Sequence, residues 1–217
     1  MSPALRIPLF PLGTVLFPGG HLPLQIFEVR YLDMVKRCHR DGTPFGVVCL
    51  TEGHEVQQRD PSRGETFRTE GFESQGTLAH ISRLEQPRPG LVLIQCQGTQ
   101  RFLIDRSEKL KHGLWMADVR ALPTDMPMPV PDELTGMARA LRQLHERLET
   151  DHPHTFPALP PWADSDSPWQ DAGWLANRWA ELLPLPSNFK QRLLALDSPL
   201  LRLELVGDAL DQLGIAH

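Results

Sequence analysis

Lysine is scarce in this chain: four residues (Lys36, Lys109, Lys111 and Lys190) stand against 18 arginines in 217 positions. None follows a glycine, so no glycine-rich loop can cradle a phosphate and set an ammonium on it. A serine–lysine hydrolytic dyad needs a desolvated amine, and these four fall on a helix flank, in a charged turn and at a helix start. The fingerprints G-x-G-x-x-G, G-x-S-x-G and H-E-x-x-H are missing too. The chain is therefore not expected to be an enzyme, and no cofactor is called for. Cysteine is also sparse. Cys38, Cys49 and Cys96 form no C-x-x-C pair and lie in apolar or periodic stretches, which predicts buried free thiols in a reducing compartment. Long apolar runs are absent. The longest, Phe45 to Leu50, is broken by Gly46 and is far too short to span a membrane. Arg6, Pro8, Pro11 and Gly13 interrupt what a signal peptide would keep continuous. A cytoplasmic protein with no membrane partner is expected. A basic excess is lacking as well: the net charge of −5 argues against a nucleic-acid partner.

What is present divides in two. The first thirty residues are apolar pieces punctuated by Pro8, Pro11, Pro18 and Pro23. Proline cannot donate to a sheet ladder, so these exclude a flat central strand and predict short strands with turns between them. Phe17-Pro18-Gly19-Gly20 suits a type II turn, with Gly19 accepting φ > 0. Val29, Leu32, Val35 and Cys38 recur every third residue, predicting a helix over 29–40 closed by Asp41-Gly42. Strand-like runs follow at 45–51, 77–84, 91–97, 100–106 and 114–121. In the last, Trp115, Ala117 and Val119 share one face while Leu114, Met116 and Asp118 share the other. Val92 and Leu103 are expected in the core. The polar stretch 54–76 has no period and is read as a long loop.

From 122 a proline-rich connector leads into helical sequence. Leu134, Met137, Ala138, Leu141, Leu144 and Leu148 mark an amphipathic helix over 132–149. Ala172, Leu175, Trp179 and Leu182 mark another, a short helix starts near Pro186, and the last begins at the Ser198-Pro199 cap and runs to Gly214. The predicted organisation is a β-rich domain over 1–126 and a helical bundle over 127–217, with a proline-rich insertion at 151–168.

Some features invite chemistry and have plainer readings. His152 and His154 flank Pro153, which imposes extended geometry, and no third ligand is near in sequence; loop histidines are expected, and no metal site. Asp164 and Asp166 read as solubilising charge. Four of the five tryptophans fall within 162–179 and read as anchors for a small bundle. Arg139, Arg142 and Arg147, interspersed with glutamates, read as a solvated helix face. Phe67 and Phe72 sit in the polar 54–76 stretch, either folded back as a lid or exposed as partner contacts.

The stretch I-P-L-F-P-L-G-T-V-L-F-P-G-G-H-L-P-L-Q-I-F-E-V-R-Y-L-D-M-V (7–35), D-G-T-P-F-G-V-V (41–48), G-T-L-A-H-I (76–81), G-T-Q-R-F-L-I (98–104) and L-P-L-P-S-N-F-K-Q-R-L-L-A-L-D-S-P-L-L-R-L-E-L-V (183–206) resemble the amino-terminal substrate-binding domain of Lon proteases. The nearest resemblance is to stand-alone bacterial proteins that carry only that domain. It implies an α+β fold, a PUA-like β pseudo-barrel followed by a carboxy-terminal helical bundle. It also implies a non-enzymatic module for unfolded or extended protein segments, without the ATPase and Ser–Lys peptidase domains that follow in Lon proteases. Apolar contacts and edge-strand pairing would supply the affinity. The candidate partner contacts are Phe67 and Phe72, then Phe17, Pro18 and Leu22 at the glycine-rich turn. The alternative is an RNA-binding PUA-like module, which would need a basic groove.

Overall fold

The computed structural model describes residues 5–52, 70–151 and 168–215. Its strands are β1 (Leu5–Leu12), β2 (His21–Ile26), β3 (Phe45–Glu52), β4 (Gly71–Arg88), β5 (Leu91–Lys109) and β6 (Trp115–Ala121). They form one mixed sheet in the order β2-β5-β4-β3-β1-β6, and an added β5–β6 pairing closes five of the strands into a ring with β2 appended to β5. The fold is α+β, with a β barrel first and helices after it, as the resemblance implies.

β1 departs from the sequence expectation in an instructive way. It carries Pro8 and Pro11 yet has neighbours on both sides. The pairing explains this: Leu5–Leu9 pair antiparallel with β6, whereas Leu9–Leu12 pair in parallel with β3. Each proline therefore lies in a half that is paired on one side only, and the amide it lacks has no ladder to feed. Alternation along β1 fills two cores. Ile7 and Leu9 enter the barrel interior with Val48, Phe102 and Val119. Phe10 and Leu12 join Phe45, Val92 and Ile94 beneath the first helix. β6 alternates as expected, Ala117 and Val119 in the first cluster and Leu114 in the second. Val92 is core, but Leu103 is half-buried and its neighbour Phe102 takes the interior.

β4 and β5 are longer than the runs read at 77–84, 91–97 and 100–106. Gly98 does not interrupt β5, because it accepts from the Gly19 amide and donates to the Gly20 carbonyl, both at 2.8 Å. A Cβ at position 98 would collide with the Phe17 carbonyl oxygen, so only glycine admits this approach. The turn itself is as predicted: Gly19 has φ 76° and Gly20 donates to the Phe17 carbonyl at 3.0 Å.

The helices are α1 (Val29–Asp41), α2 (Thr135–Asp151), α3 (Ala172–Leu182), α4 (Ser187–Ala195) and α5 (Pro199–Gln212). Gly42, left-handed at φ 63°, ends α1 as expected. Ser198 caps α5, its hydroxyl accepting from the Leu201 amide at 3.3 Å, with Pro199 in the first turn.

The chain divides into two compact units, one formed by Met1–Thr124 and Pro186–Leu194, the other by Asp125–Leu185 and Ala195–His217. The first departs from the 1–126 boundary by taking in α4. Arg101 is 4% exposed and donates to the Leu194 carbonyl at 3.0 Å. Gln75 donates to the same carbonyl, and Gln191 returns a bond to the Gln75 backbone at 2.9 Å. In the second unit the connector hydrogen-bonds rather than floats: Val130 donates to Gln170 and Ala172 to Met128. Trp179 donates to the Met137 carbonyl at 3.2 Å, and Arg202 holds Asp125 and Asn177. Trp169 packs edge-on to Trp174, the anchoring role read from the sequence. Arg142 lies over the Trp169 ring at 4.9 Å, so that helix face is not purely solvated. The 151–168 insertion, bar its end residues, and His152, His154, Asp164 and Asp166 lie outside the described residues.

Candidate functional site

α1 begins where β2 ends, and Phe27-Glu28-Val29 makes the junction. Periodicity placed Val29 on the apolar stripe with Leu32, Val35 and Cys38; the helix buries Val35 and Cys38 and packs Leu32 on the core, but takes in Tyr31 and Met34 and leaves Val29 out. Val29 is left 76% exposed and Phe27 56%. Exposed large apolar side chains this close together are the kind of surface a partner covers.

Beneath Val29 a charged cluster fixes the ground. Arg30 and Glu70 have side chains only 3% and 5% exposed and pair at 3.0 Å. Arg30 also donates to Glu28 at 3.1 Å and to the Gly113 carbonyl at 3.1 Å. Glu70 accepts from the Trp115 indole at 2.7 Å and pairs with Lys109 at 3.1 Å. Burial by itself would raise the Glu70 pKa. The bonds from Trp115 and Lys109 and the Arg30 charge and bond outweigh it, and the carboxyl is held below its ordinary value. The cluster ties α1, Glu70 and the ends of β5 and β6 into one rigid support.

On that support lies a cavity of about 580 Å³. One wall is α1, presenting Val29, Met34 and Arg37; the other is the turn before β6, presenting Leu110, His112 and Leu114. Most of the lining is apolar, the usual character of a recognition groove. Cys38 borders it as a buried thiol whose pKa burial pushes up, and burial pushes Cys96 up to about 12. All three cysteines are free and buried, as expected, so they are packing groups and not nucleophiles. A second cavity, of about 520 Å³, lies in the other unit beside Trp169 and Arg142. Among the described residues no group of three or more His, Cys, Asp or Glu side chains is placed to hold a metal ion.

The residues singled out in the sequence are scattered. Phe17 is fully enclosed at 0% exposure and cannot touch a partner. Pro18 and Leu22 are half-buried, and Leu22 packs against the core under α1. Phe72 belongs to β4, opposite Leu50, and not to a loop. It packs edge-on to Trp115 at 5.1 Å and covers the barrel interior. The lid alternative thus describes Phe72. Phe67 lies outside the described residues. Sequence reasoning missed Phe27 and Val29. The available signal was an apolar pair straddling Glu28, the helix cap, where neither the strand nor the helix period requires burial.

Comparison with known proteins places this geometry. The chain is 25% identical over 152 residues to the Lon protease of Flavobacterium johnsoniae, covering 69% of this chain and 17% of that protein. It is 28% identical over 99 residues to Lon protease 2 of Myxococcus xanthus, covering 45% of this chain and 11% of that one. Both matches take in a small fraction of the relatives' length. Among solved structures, a Lon N-terminal domain protein from Xanthomonas campestris aligns with TM-score 0.67 and 29% identity, over 93% of this chain and 96% of that one. The N-terminal domain of the Mycobacterium avium complex Lon protease shares the fold, with TM-score 0.57 and 14% identity over 94% and 97%. Residues 6–212 match the family of the ATP-dependent protease La (LON) substrate-binding domain, and the chain belongs to that family.

Proposed function

We propose that the chain is a non-enzymatic, cytoplasmic module that binds extended or unfolded protein segments, with its contact surface on the α1 groove. The observation that carries the reading is Val29, 76% exposed on the wall of a largely apolar groove. A well-packed protein leaves such a side chain in water at a cost of about 1.5–3 kcal/mol relative to burial, which a docked apolar residue recovers. Family membership supports a protein ligand. Three free thiols fit a reducing compartment. The net charge of −5 speaks against the RNA-binding alternative.

The test is a titration of the full chain into a short, uncharged, fluorescently labelled apolar peptide, followed by anisotropy. Binding at micromolar dissociation constants or weaker is expected, varying little between roughly 50 and 200 mM salt. Val29→Asp should weaken it about tenfold while leaving the melting temperature unchanged, since the side chain is outside the core. No peptide binding, together with binding of a labelled single-stranded RNA that falls roughly a hundredfold across that salt range, would overturn the reading.

A further inference from the structure

We infer that the α1 groove selects segments in which an acidic side chain lies four residues from the apolar anchor. This rests on the peptide-binding reading and specifies the chemistry of the ligand.

The charges around the groove are of two kinds. Arg6 is taken by Glu108 and Asp118, and Arg30 by Glu28 and Glu70. These six groups, with Lys109 on Glu70, are tied to one another in place and leave one net negative charge. Among the described residues Arg37 and Asp33 make no ion pair or hydrogen bond, and both are exposed on the groove. Asp41, the carboxylate one turn beyond Arg37, is hydrogen-bonded by Arg40 at 2.7 Å and also feels the Arg37 charge. Val29, Asp33 and Arg37 follow one another at four-residue steps, so they line one stripe of α1. The first and last are two turns apart, about 12 Å along the axis.

An extended segment rises about 3.3 Å per residue. One whose apolar residue sits at the Val29 end therefore brings its fourth neighbour, on the anchor's own face, level with Arg37. A carboxylate there meets a guanidinium that no side chain hydrogen-bonds, over a largely apolar floor. A carboxylate two residues from the anchor, on the same face of the segment, comes level with Asp33, about 6 Å along the axis from Val29, and is repelled. His112, on the opposite wall, adds a second donor without adding a negative charge. The groove thus discriminates by the position of the acid as well as by its presence.

The experiment uses the full chain at roughly 50 mM salt and four labelled peptides built on one apolar scaffold. One is uncharged, one has Asp four residues from the anchor, one has Asp two residues from it, and one has Lys at the distal position. The distal-Asp peptide should bind roughly threefold tighter than the uncharged one, and the near-Asp and Lys peptides more weakly. Arg37→Glu should reverse the order of the distal-Asp and Lys peptides, with an unchanged melting temperature; Arg37→Gln should erase the difference. If the uncharged peptide binds and the charged ones do so equally well, the charge selection is wrong while the binding reading survives. If none of the four binds, the binding reading itself falls and takes this one with it.

Discussion

Arg30 and Glu70 show how a single ion pair sets the local surface. Both side chains are nearly sealed from water, and each is shared among several partners. Removing one charge from such a pair leaves the other buried and under-compensated. Glu70→Gln should therefore destabilise the chain by about 3 kcal/mol, read as a lower urea midpoint. The sign of the pH effect follows from the depressed pKa. This stabilisation is fully present above the unfolded glutamate value of about 4.3. It is lost as pH falls through the lower folded value. Wild-type stability should show that acid limb, and Glu70→Gln should lack it; equal acid sensitivity of the two would show that Glu70 is not the group responsible. Glu70 lies forty residues from Arg30, and no local pattern pairs them. Their partnership was not legible from the sequence.

At the level of elements, the question is how the sheet protects its free edge. β2 pairs with β5 alone, and its register is unbroken from His21 to Ile26. Gly98 donates to the Gly20 carbonyl, so Leu22, Leu24 and Ile26 also direct their backbone groups toward β5. His21, Pro23 and Gln25 then direct theirs outward, and Pro23 has no amide to offer an incoming strand. Along β4 beyond Ala79, where β3 no longer pairs, a register shift between Ile81 and Arg83 breaks the row. Edge-strand pairing, expected from the sequence as a source of affinity, is blunted at both places. Pro23→Thr should restore the missing donor without disturbing β5. Concentration-dependent self-association in sedimentation velocity is the expected outcome, and a strict monomer at all concentrations would count against it. The type of each element was readable in advance: alternation in β6, the Gly42 stop, the Ser198 cap. Partner strands were not, which is why the prolines of β1 misled.

For the whole molecule, the barrel unit is completed by α4, a segment that lies after most of the helical unit in sequence. Arg101 and Gln75 reach it through hydrogen bonds to the Leu194 carbonyl, and Leu193 and Leu194 are buried. A chain ending at residue 126 loses all of these. Two buried leucines and an orphaned guanidinium amount to roughly 4–8 kcal/mol, a large share of a domain's stability. Trp115 is the sole tryptophan in that fragment, so its fluorescence reports the barrel. The fragment should unfold early and broadly in urea. A sharp transition at the midpoint of the full chain would mean that α4 is dispensable.

The sequence by itself determined the parts that depend on a few neighbouring residues. These are the strand alternations, the turn at Gly19, the helix caps, the tryptophan anchors and the two-part order of β then α. The long motif at 7–35 also carried the family resemblance. Tertiary structure decided what depends on pairing across the chain. It gave each proline of β1 a one-sided ladder, drew Phe17 and Phe72 into packing, and handed α4 to the barrel. It also left Val29 in water on the helix stripe that ends at Arg37. Burial and hydrogen bonding are set by which distant residues meet, as Arg101 meets Leu194, and local periodicity contains no record of such meetings. A contact surface is what remains once those meetings are complete.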